Sequence, residues 1–168
     1  ELTWRPVPDI SARAALFSES VDGTPYYLLM VLPPDEPVVG REPVPRDLVL
    51  VIDTSGSMHG TSTEQARRSL LLALDGLRPV DRFNIVQFNS TTSALFTDSV
   101  EASSANLALA ARYVAALAAN GGTEMRPALE QVLRARHAES HLRQIVFVTD
   151  GSVGNEAELI RLIESELG

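Results

Sequence analysis

The most informative segment of the chain reads Leu48-Val49-Leu50-Val51-Ile52-Asp53-Thr54-Ser55-Gly56-Ser57-Met58. Its first five residues are all apolar, which is typical of a strand buried on both faces of a parallel sheet. An aspartate follows at once, and the small polar residues and glycine after it indicate a turn at the carboxyl end of the strand. The same pattern recurs at 144–149, a second apolar strand that runs into Asp150-Gly151. Two predicted buried strands therefore end beside an aspartate and a turn.

Strands and helices alternate along the rest of the chain. Further strands are predicted at 83–88 and, as a short antiparallel arm, at 93–96, and helices at 64–77, 107–117, 128–136 and 156–167. In the first of these helices the apolar residues recur at the spacing of one helical face. Strands that alternate with helices of this length predict an α/β fold, with a doubly wound, mostly parallel sheet and helices on both of its faces.

The amino-terminal part of the chain has a different character. Eight of the ten prolines fall between residues 6 and 45, and proline disrupts both helices and central strands. One strand is predicted here, at Tyr26–Leu32, and two prolines stop it. The segment from 34 to 45 is predicted to be a linker. We therefore divide the chain into an extended segment with its linker at 1–45 and an α/β domain at 46–168.

Two residue types are missing from the 168-residue chain, and their absence excludes several kinds of chemistry. Without cysteine, the protein has no disulfides, no thiolate zinc site and no cysteine nucleophile. All 14 basic residues are arginines, so the lysine of a phosphate-binding P-loop and the amine of a Schiff-base enzyme are both lacking. With 45% hydrophobic and 21% charged residues, the composition is that of a globular domain with a substantial core.

The charge balance argues against nucleic acid as a partner. The 14 arginines face 22 aspartates and glutamates, which gives a net charge of −8. Nucleic-acid binding proteins present a basic face, and a negative protein attracts cations more readily than phosphate polymers. No run of 18 apolar residues is present, so the sequence predicts no membrane span. The first residues do not have the pattern of a signal peptide and are expected to lie in the interior of a longer chain.

The ends of the predicted strands carry a set of oxygen ligands. Because ligands of an open α/β sheet bind outside the carboxyl ends of its strands, we expect Asp53, Ser55, Ser57 and Asp150 to lie near one another. A glycine-rich loop ending in Thr123 adds a third hydroxyl. Two carboxylates and three hydroxyls are the donors of a hard cation, with Mg²⁺ first and Mn²⁺ as an alternative.

Three pieces of this sequence carry a family resemblance. The segment Asp53-Thr54-Ser55-Gly56-Ser57 resembles the DxSxS motif of the von Willebrand factor type A domain. The tripeptides Gly121-Gly122-Thr123 and Thr149-Asp150-Gly151 are similar to the two places where that family completes its metal-ion-dependent adhesion site. The matches occur in the family's order and span residues 46 to 168. The resemblance implies the Rossmann-like fold of that family and a divalent-metal site.

The resemblance also implies a role for each ligand. Ser55 and Ser57 would bind the metal directly, whereas Asp53 and Asp150 would bind it directly or through water. Thr123 would be the ligand that switches, binding directly when a partner is present. The ion, Mg²⁺ with Mn²⁺ or Ca²⁺ as alternatives, would accept an aspartate or glutamate side chain from a protein partner. This implied function is that of an adhesion or interaction module, not of an enzyme.

Two further segments look like the inter-alpha-trypsin inhibitor heavy chain subgroup. They are 45–58 and 81–84, the latter reading Asp81-Arg82-Phe83-Asn84. In that subgroup a VIT domain precedes the type A domain, and 26–34 resembles its closing strand, which implies that 1–45 is the tail of a VIT-like domain. Bacterial members include surface proteins, and the Arg-only, Ala-rich composition suits a GC-rich bacterial genome. The resemblance therefore implies a bacterial protein located at the cell surface or outside the cytoplasm.

One departure from the family pattern leads to a further expectation. Family members continue past the last helix with one or two more strands and a final helix, so the domain at 46–168 is expected to lack its last strands. The strand at 144–149 is then expected to have an unpaired edge. We predict that the amino-terminal segment or a second copy of the chain covers this edge, because exposed edges invite pairing.

Two other functions are compatible with parts of the sequence. The domain could be purely structural, with an unused metal site. A magnesium-dependent phosphatase of the haloacid dehalogenase type also places an aspartate after a buried strand, but it needs a second aspartate where this chain has Ser55, and usually a lysine. A serine hydrolase would need a G-x-S-x-G elbow, and the stretch around Ser55 does not provide one.

Overall fold

The structure is a computed structural model that describes residues 13–32, 43–135, 138–151 and 156–167. The chain divides into two compact units, Glu1–Pro43 and Val44–Gly168. In the described part of the chain, every helix is too short or too polar to cross a lipid bilayer.

The first unit contains a β-hairpin of two nine-residue strands. Strand β1 (Arg13–Val21) pairs antiparallel with β2 (Thr24–Leu32), which confirms the strand predicted at 26–32. Asp22 and Gly23 connect them with φ angles of 51° and 79°, and two consecutive positive φ values are the mark of a type I′ turn. The sequence reading missed β1, although Asp-Gly between two apolar runs is a strong hairpin signal.

The second unit is built on a five-stranded sheet. Its strands are β3 (Arg46–Asp53), β4 (Arg82–Phe88), β5 (Thr92–Ala94), β6 (Val100–Glu101) and β7 (Leu142–Val148). The central strand β3 runs parallel to both neighbours, β4 and β7, whereas the short β5 and β6 pair antiparallel with β4. The three long strands therefore all end at the same edge of the sheet.

Helices cover both faces of this sheet. They are α1 (Thr61–Asp75), α2 (Ser104–Ala116), α3 (Met125–Arg134) and α4 (Glu156–Leu167). Alternate residues of β3 point to opposite faces: Leu48, Leu50 and Ile52 pack with buried residues of α1 and α2. Val49 and Val51 pack instead with buried residues of α3 and α4. This arrangement confirms the predicted doubly wound, mostly parallel α/β fold.

Strand β7 differs from the prediction of a strand buried on both faces. It pairs with β3 on one side, and no other strand within the described residues pairs with its outer side. Leu142 is 54% exposed and Val146 42% exposed. The strand contains the predicted apolar residues. Because it lies at the end of the sheet among the described strands, some of these side chains are exposed. The covering of this edge by the amino-terminal segment or by a second copy of the chain stays a prediction.

At the opposite edge of the sheet, where the parallel strands begin, a buried carboxylate joins neighbouring segments of the chain. We call this the amino edge. Asp81, which precedes β4, accepts hydrogen bonds from the backbone N–H groups of Arg46 and Arg78, both at 2.9 Å. Its side chain also forms ion pairs with the guanidinium groups of the same two arginines, at 3.1 and 2.8 Å. Burial raises the pKa of Asp81, but these hydrogen bonds outweigh it, so that the pKa lies well below its usual range.

Candidate functional site

Asp53 is the last residue of β3, and the fold buries its side chain almost completely, with 1% of it exposed. Its Oδ1 atom accepts a hydrogen bond from the backbone N–H of Ser55 at 2.8 Å. Its Oδ2 atom accepts one from the Thr149 hydroxyl at 2.9 Å. Among the described residues, no arginine forms an ion pair with Asp53. The site therefore contains a buried carboxylate that is hydrogen-bonded but not neutralised by a basic side chain.

The two serines of the motif lie together immediately after Asp53. Ser55 is buried and precedes a single 3₁₀ turn at Gly56–Met58, which carries the exposed Ser57. The two hydroxyl oxygens are 3.0 Å apart. The segment from the end of β3 into this turn therefore carries three of the five predicted ligands, Asp53, Ser55 and Ser57.

The glycine-rich loop lies directly against this turn. The backbone N–H of Gly56 donates to the carbonyl oxygen of Gly121 at 3.0 Å, and that of Asn120 donates to the carbonyl oxygen of Thr54 at 2.8 Å. A Cβ atom at Gly56 would come within 3.3 Å of the Gly121 oxygen, so glycine permits this close approach. Thr123 follows two residues later and is exposed. The structure thus joins the loop that carries Thr123 to the loop that carries Ser55.

A turn that the sequence reading did not single out supports the glycine-rich loop from the other side. This turn, at 89–91, follows β4. The Gly122 N–H donates to the Ser90 hydroxyl and the Glu124 N–H to the Asn89 carbonyl, both at 2.8 Å. The Asn89 side-chain amide also donates to Asn120 Oδ1 at 2.8 Å. Two polar residues at the carboxyl end of a buried parallel strand are a signal that could have revealed this turn.

The residues after β7 contact Asp53 through one side chain. Thr149, whose hydroxyl bonds to Asp53, was not assigned a role from the sequence, although it directly precedes the predicted ligand Asp150. Its hydroxyl also accepts a hydrogen bond from the backbone N–H of Gly151 at 3.2 Å. Asp150 is exposed and, together with Thr149, lines a cavity of about 280 Å³ that extends along α1 past Ser62.

The chemistry of this arrangement rests on hydroxyl groups as much as on carboxylates. Within the described residues, no three His, Asp or Glu side chains lie close enough to form a metal site by themselves. The predicted set contains two carboxylates, and the hydroxyls of Ser55, Ser57 and Thr123 supply the remaining oxygens. All five are hard oxygen donors, which suit Mg²⁺, Mn²⁺ or Ca²⁺ and not a soft metal.

Comparison with known proteins agrees with the fold. The sequence profile of the von Willebrand factor type A domain matches residues 46–168. The chain is 34% identical over 129 residues to mouse von Willebrand factor A domain-containing protein 5B1, covering 74% of this chain and 11% of that protein. It is 34% identical over 120 residues to human inter-alpha-trypsin inhibitor heavy chain H4, covering 67% of this chain and 13% of the relative.

A solved structure shows the same similarity in three dimensions. A von Willebrand factor type A protein from Catenulispora acidiphila superposes with a TM-score of 0.65 and 29% sequence identity, covering 74% of this chain and 31% of the other. The chain thus spans about a tenth of the length of the curated relatives and about a third of that structure. Since the profile covers the whole second unit except its first two residues, the chain belongs to the von Willebrand factor type A domain family.

Proposed function

We propose that this domain is a divalent-metal-dependent protein-binding module. In this proposal Mg²⁺ is held by Asp53, Ser55, Ser57, Thr123 and Asp150, and the bound ion accepts an aspartate or glutamate side chain from a protein partner. Type A domains are mainly interaction modules, and no feature of the relatives points to an enzyme. The metal and its acidic ligand are the substance of the proposal.

The observation that carries the proposal is that Asp53 is buried without an ion-pair partner among the described residues. Asp53 is 1% exposed, and burying a charged group at such a position is costly unless another charge compensates it. Two hydrogen-bond donors reach it, but within the described residues no arginine does. A divalent cation beside Asp53 would supply the missing positive charge.

The hydroxyl groups favour a cation that keeps a position open for a ligand. Mg²⁺ takes six oxygens, and the five proposed protein oxygens leave at least one position of an octahedral shell available. Three of the five donors are neutral, so the negative charge of the protein ligands does not exceed the positive charge of the ion. When bound, the cation would act as a fixed positive charge that selects carboxylates over neutral side chains. Ser57, Thr123 and Asp150 are exposed, which leaves this side of the site accessible to a partner.

Three further elements of the proposal concern the rest of the protein. The hairpin of the first unit exposes large apolar residues on both strands, among them Leu16 and Tyr27, which supports a role as part of a larger β-domain such as a VIT-like one. The half-exposed strand β7 supports self-association through the edge at 144–149. A bacterial origin, and a location at the cell surface or outside the cytoplasm, are proposed on the family resemblance alone.

The proposal is tested by calorimetric titration of the full chain with MgCl₂ and MnCl₂. We expect saturable binding by the wild-type protein, loss of binding in Asp53→Asn, weakened but measurable binding in Thr123→Ala, and unchanged binding in Asp98→Asn, which alters an exposed carboxylate in another loop. A folded wild-type protein that binds neither cation would favour the alternative of a structural domain with an unused site. Hydrolysis of p-nitrophenyl phosphate that depends on Asp53 would favour the phosphatase alternative.

A further inference from the structure

The turn after β4 holds the backbone on both sides of Thr123. Gly122, which precedes Thr123, donates its N–H to the Ser90 hydroxyl, and Glu124, which follows, donates its N–H to the Asn89 carbonyl. Both hydrogen bonds are 2.8 Å long. Thr123 itself lies in neither a helix nor a strand, and its side chain is exposed. The position of its hydroxyl therefore depends on how these neighbouring backbone groups are held.

Ser90 also fits closely against the bare glycine backbone. A Cβ atom at Gly121 would lie 2.9 Å from the Ser90 hydroxyl oxygen, and one at Gly122 would lie 3.3 Å from it. Gly121 has a φ of +72°, in the left-handed region that favours glycine. The two glycines thus allow the serine to approach near enough to accept the hydrogen bond from Gly122.

Asn89 anchors the same loop at its other end. Its side-chain amide donates to Asn120 Oδ1, and its own Oδ1 accepts from the backbone N–H of Thr91 at 3.0 Å. The second contact fixes the conformation of the turn, and the first joins the turn to the start of the glycine-rich loop.

We infer that Asn89 and Ser90 are positioning residues for the proposed cation site, which contribute no ligand but hold the Thr123 hydroxyl where it can reach the ion. This inference rests on the proposed function. It adds a fourth loop to the three that carry ligands. Groups that orient metal ligands through hydrogen bonds are important for affinity, and their loss typically weakens metal binding by about 10- to 100-fold.

The experiment compares Mn²⁺ affinity among variants of the full chain, measured from the electron paramagnetic resonance signal of free Mn²⁺. Ser90→Ala removes the acceptor of the Gly122 hydrogen bond, and we expect it to weaken binding by about 10-fold. Ser90→Thr keeps the hydroxyl and should restore most of the affinity. Ser93→Ala is the matched control, because the Ser93 hydroxyl accepts a hydrogen bond from Gln87 and lies outside the turn at 89–91.

A double-mutant cycle separates positioning from general destabilisation. If Ser90 acts through Thr123, Ser90→Ala should have little further effect on the weakened Mn²⁺ binding of a Thr123→Ala background. Equal effects in both backgrounds, or wild-type affinity in Ser90→Ala, would overturn the inference while leaving the proposed function intact. Failure of the wild-type protein to bind Mn²⁺ would overturn both. Urea denaturation without metal checks that each variant is folded.

Discussion

The Thr149 hydroxyl donates a hydrogen bond to Oδ2 of Asp53 at 2.9 Å, across 96 residues of sequence. This bond joins the carboxyl ends of the parallel strands β3 and β7. It stabilises the buried carboxylate at the oxygen that does not accept from the Ser55 N–H, and Asp150 is the residue that directly follows the donor. The proposed site therefore depends on strand pairing as well as on its own residues.

Replacing Thr149 by valine should destabilise the protein. The change removes the donor to Asp53 Oδ2 while keeping the shape of the side chain. Hydrogen bonds to charged groups contribute about 1.5–3 kcal/mol, and we expect the free energy of unfolding to fall by about 2 kcal/mol in metal-free buffer. Urea denaturation measures it. Thr149→Ser keeps the hydroxyl and serves as the control; equal stability of the valine and serine variants would contradict this account of the bond.

Replacing Gly121 by alanine should cost stability for two separable reasons. An alanine at this position would have to keep a positive φ, which L residues rarely adopt. Its Cβ atom would also lie 2.9 Å from the Ser90 hydroxyl oxygen. We expect a loss of about 2 kcal/mol in the free energy of unfolding, of which about 1 kcal/mol is backbone strain. In a Ser90→Ala background the contact disappears, so the cost of Gly121→Ala should fall to that of the strain. An identical cost in both backgrounds would show that Ser90 does not crowd this position.

The Asp81 cluster predicts a pH dependence of stability. The hydrogen bonds from Arg78 and Arg46 hold the pKa of Asp81 below its value in the unfolded chain, which is about 3.9. Such a carboxylate contributes stability that is fully present above the unfolded pKa and is lost as the pH falls towards the folded pKa. Asp81→Asn should therefore cost about 2 kcal/mol at pH 7 and distinctly less at pH 3.

Urea denaturation of the wild type and Asp81→Asn at both pH values provides the measurement. The exposed Asp98→Asn is the control and should leave stability unchanged at either pH. A stability difference for Asp81→Asn that is the same at pH 7 and pH 3 would show that the charge of Asp81 is not what stabilises the amino edge of the sheet.

The exposed edge predicts how the protein associates. Val146 is 42% exposed on β7, and a lysine there would place a charge on an edge strand, a common means of preventing edge-to-edge pairing. If copies of the chain associate through β7, sedimentation velocity should show a species whose proportion rises with concentration in the wild type and disappears in Val146→Lys. Val80→Lys, at an exposed valine before β4, is the matched control. A wild-type protein that remains monomeric would reject this part of the proposal.

The sequence predicted the parts of the molecule that local patterns determine. The apolar runs located β3 and β4, and the order of strands and helices predicted the doubly wound sheet. The apolar run at 144–149 did not predict the exposure of Val146, because the burial of an apolar strand depends on which elements lie beside it; only the comparison with the family pattern led to an unpaired edge there. Strand β1 was not predicted, because the many prolines of the amino-terminal part indicated an extended segment with few strands. The pair Asp22-Gly23 nevertheless indicated the hairpin.

The candidate site shows the same division. The motif around Asp53 and the two tripeptides at 121–123 and 149–151 could be read as ligands, since their residue types carry the chemistry. The support from Ser90 could not be derived from the sequence, because its hydrogen bond to Gly122 spans 32 residues and depends on how two loops meet in the fold. Local sequence indicates donors and acceptors, but tertiary packing decides which of them pair.

The central claim is that five oxygen ligands from three loops hold one divalent cation. A crystal structure of the full chain grown with MnCl₂, with an anomalous difference map collected to identify manganese, tests it most directly. We predict one strong peak within direct coordination distance of the hydroxyl oxygens of Ser55 and Ser57, with Asp53, Asp150 and Thr123 bound directly or through water. A well-ordered 53–57 loop with no manganese peak beside it at saturating MnCl₂ would contradict the claim.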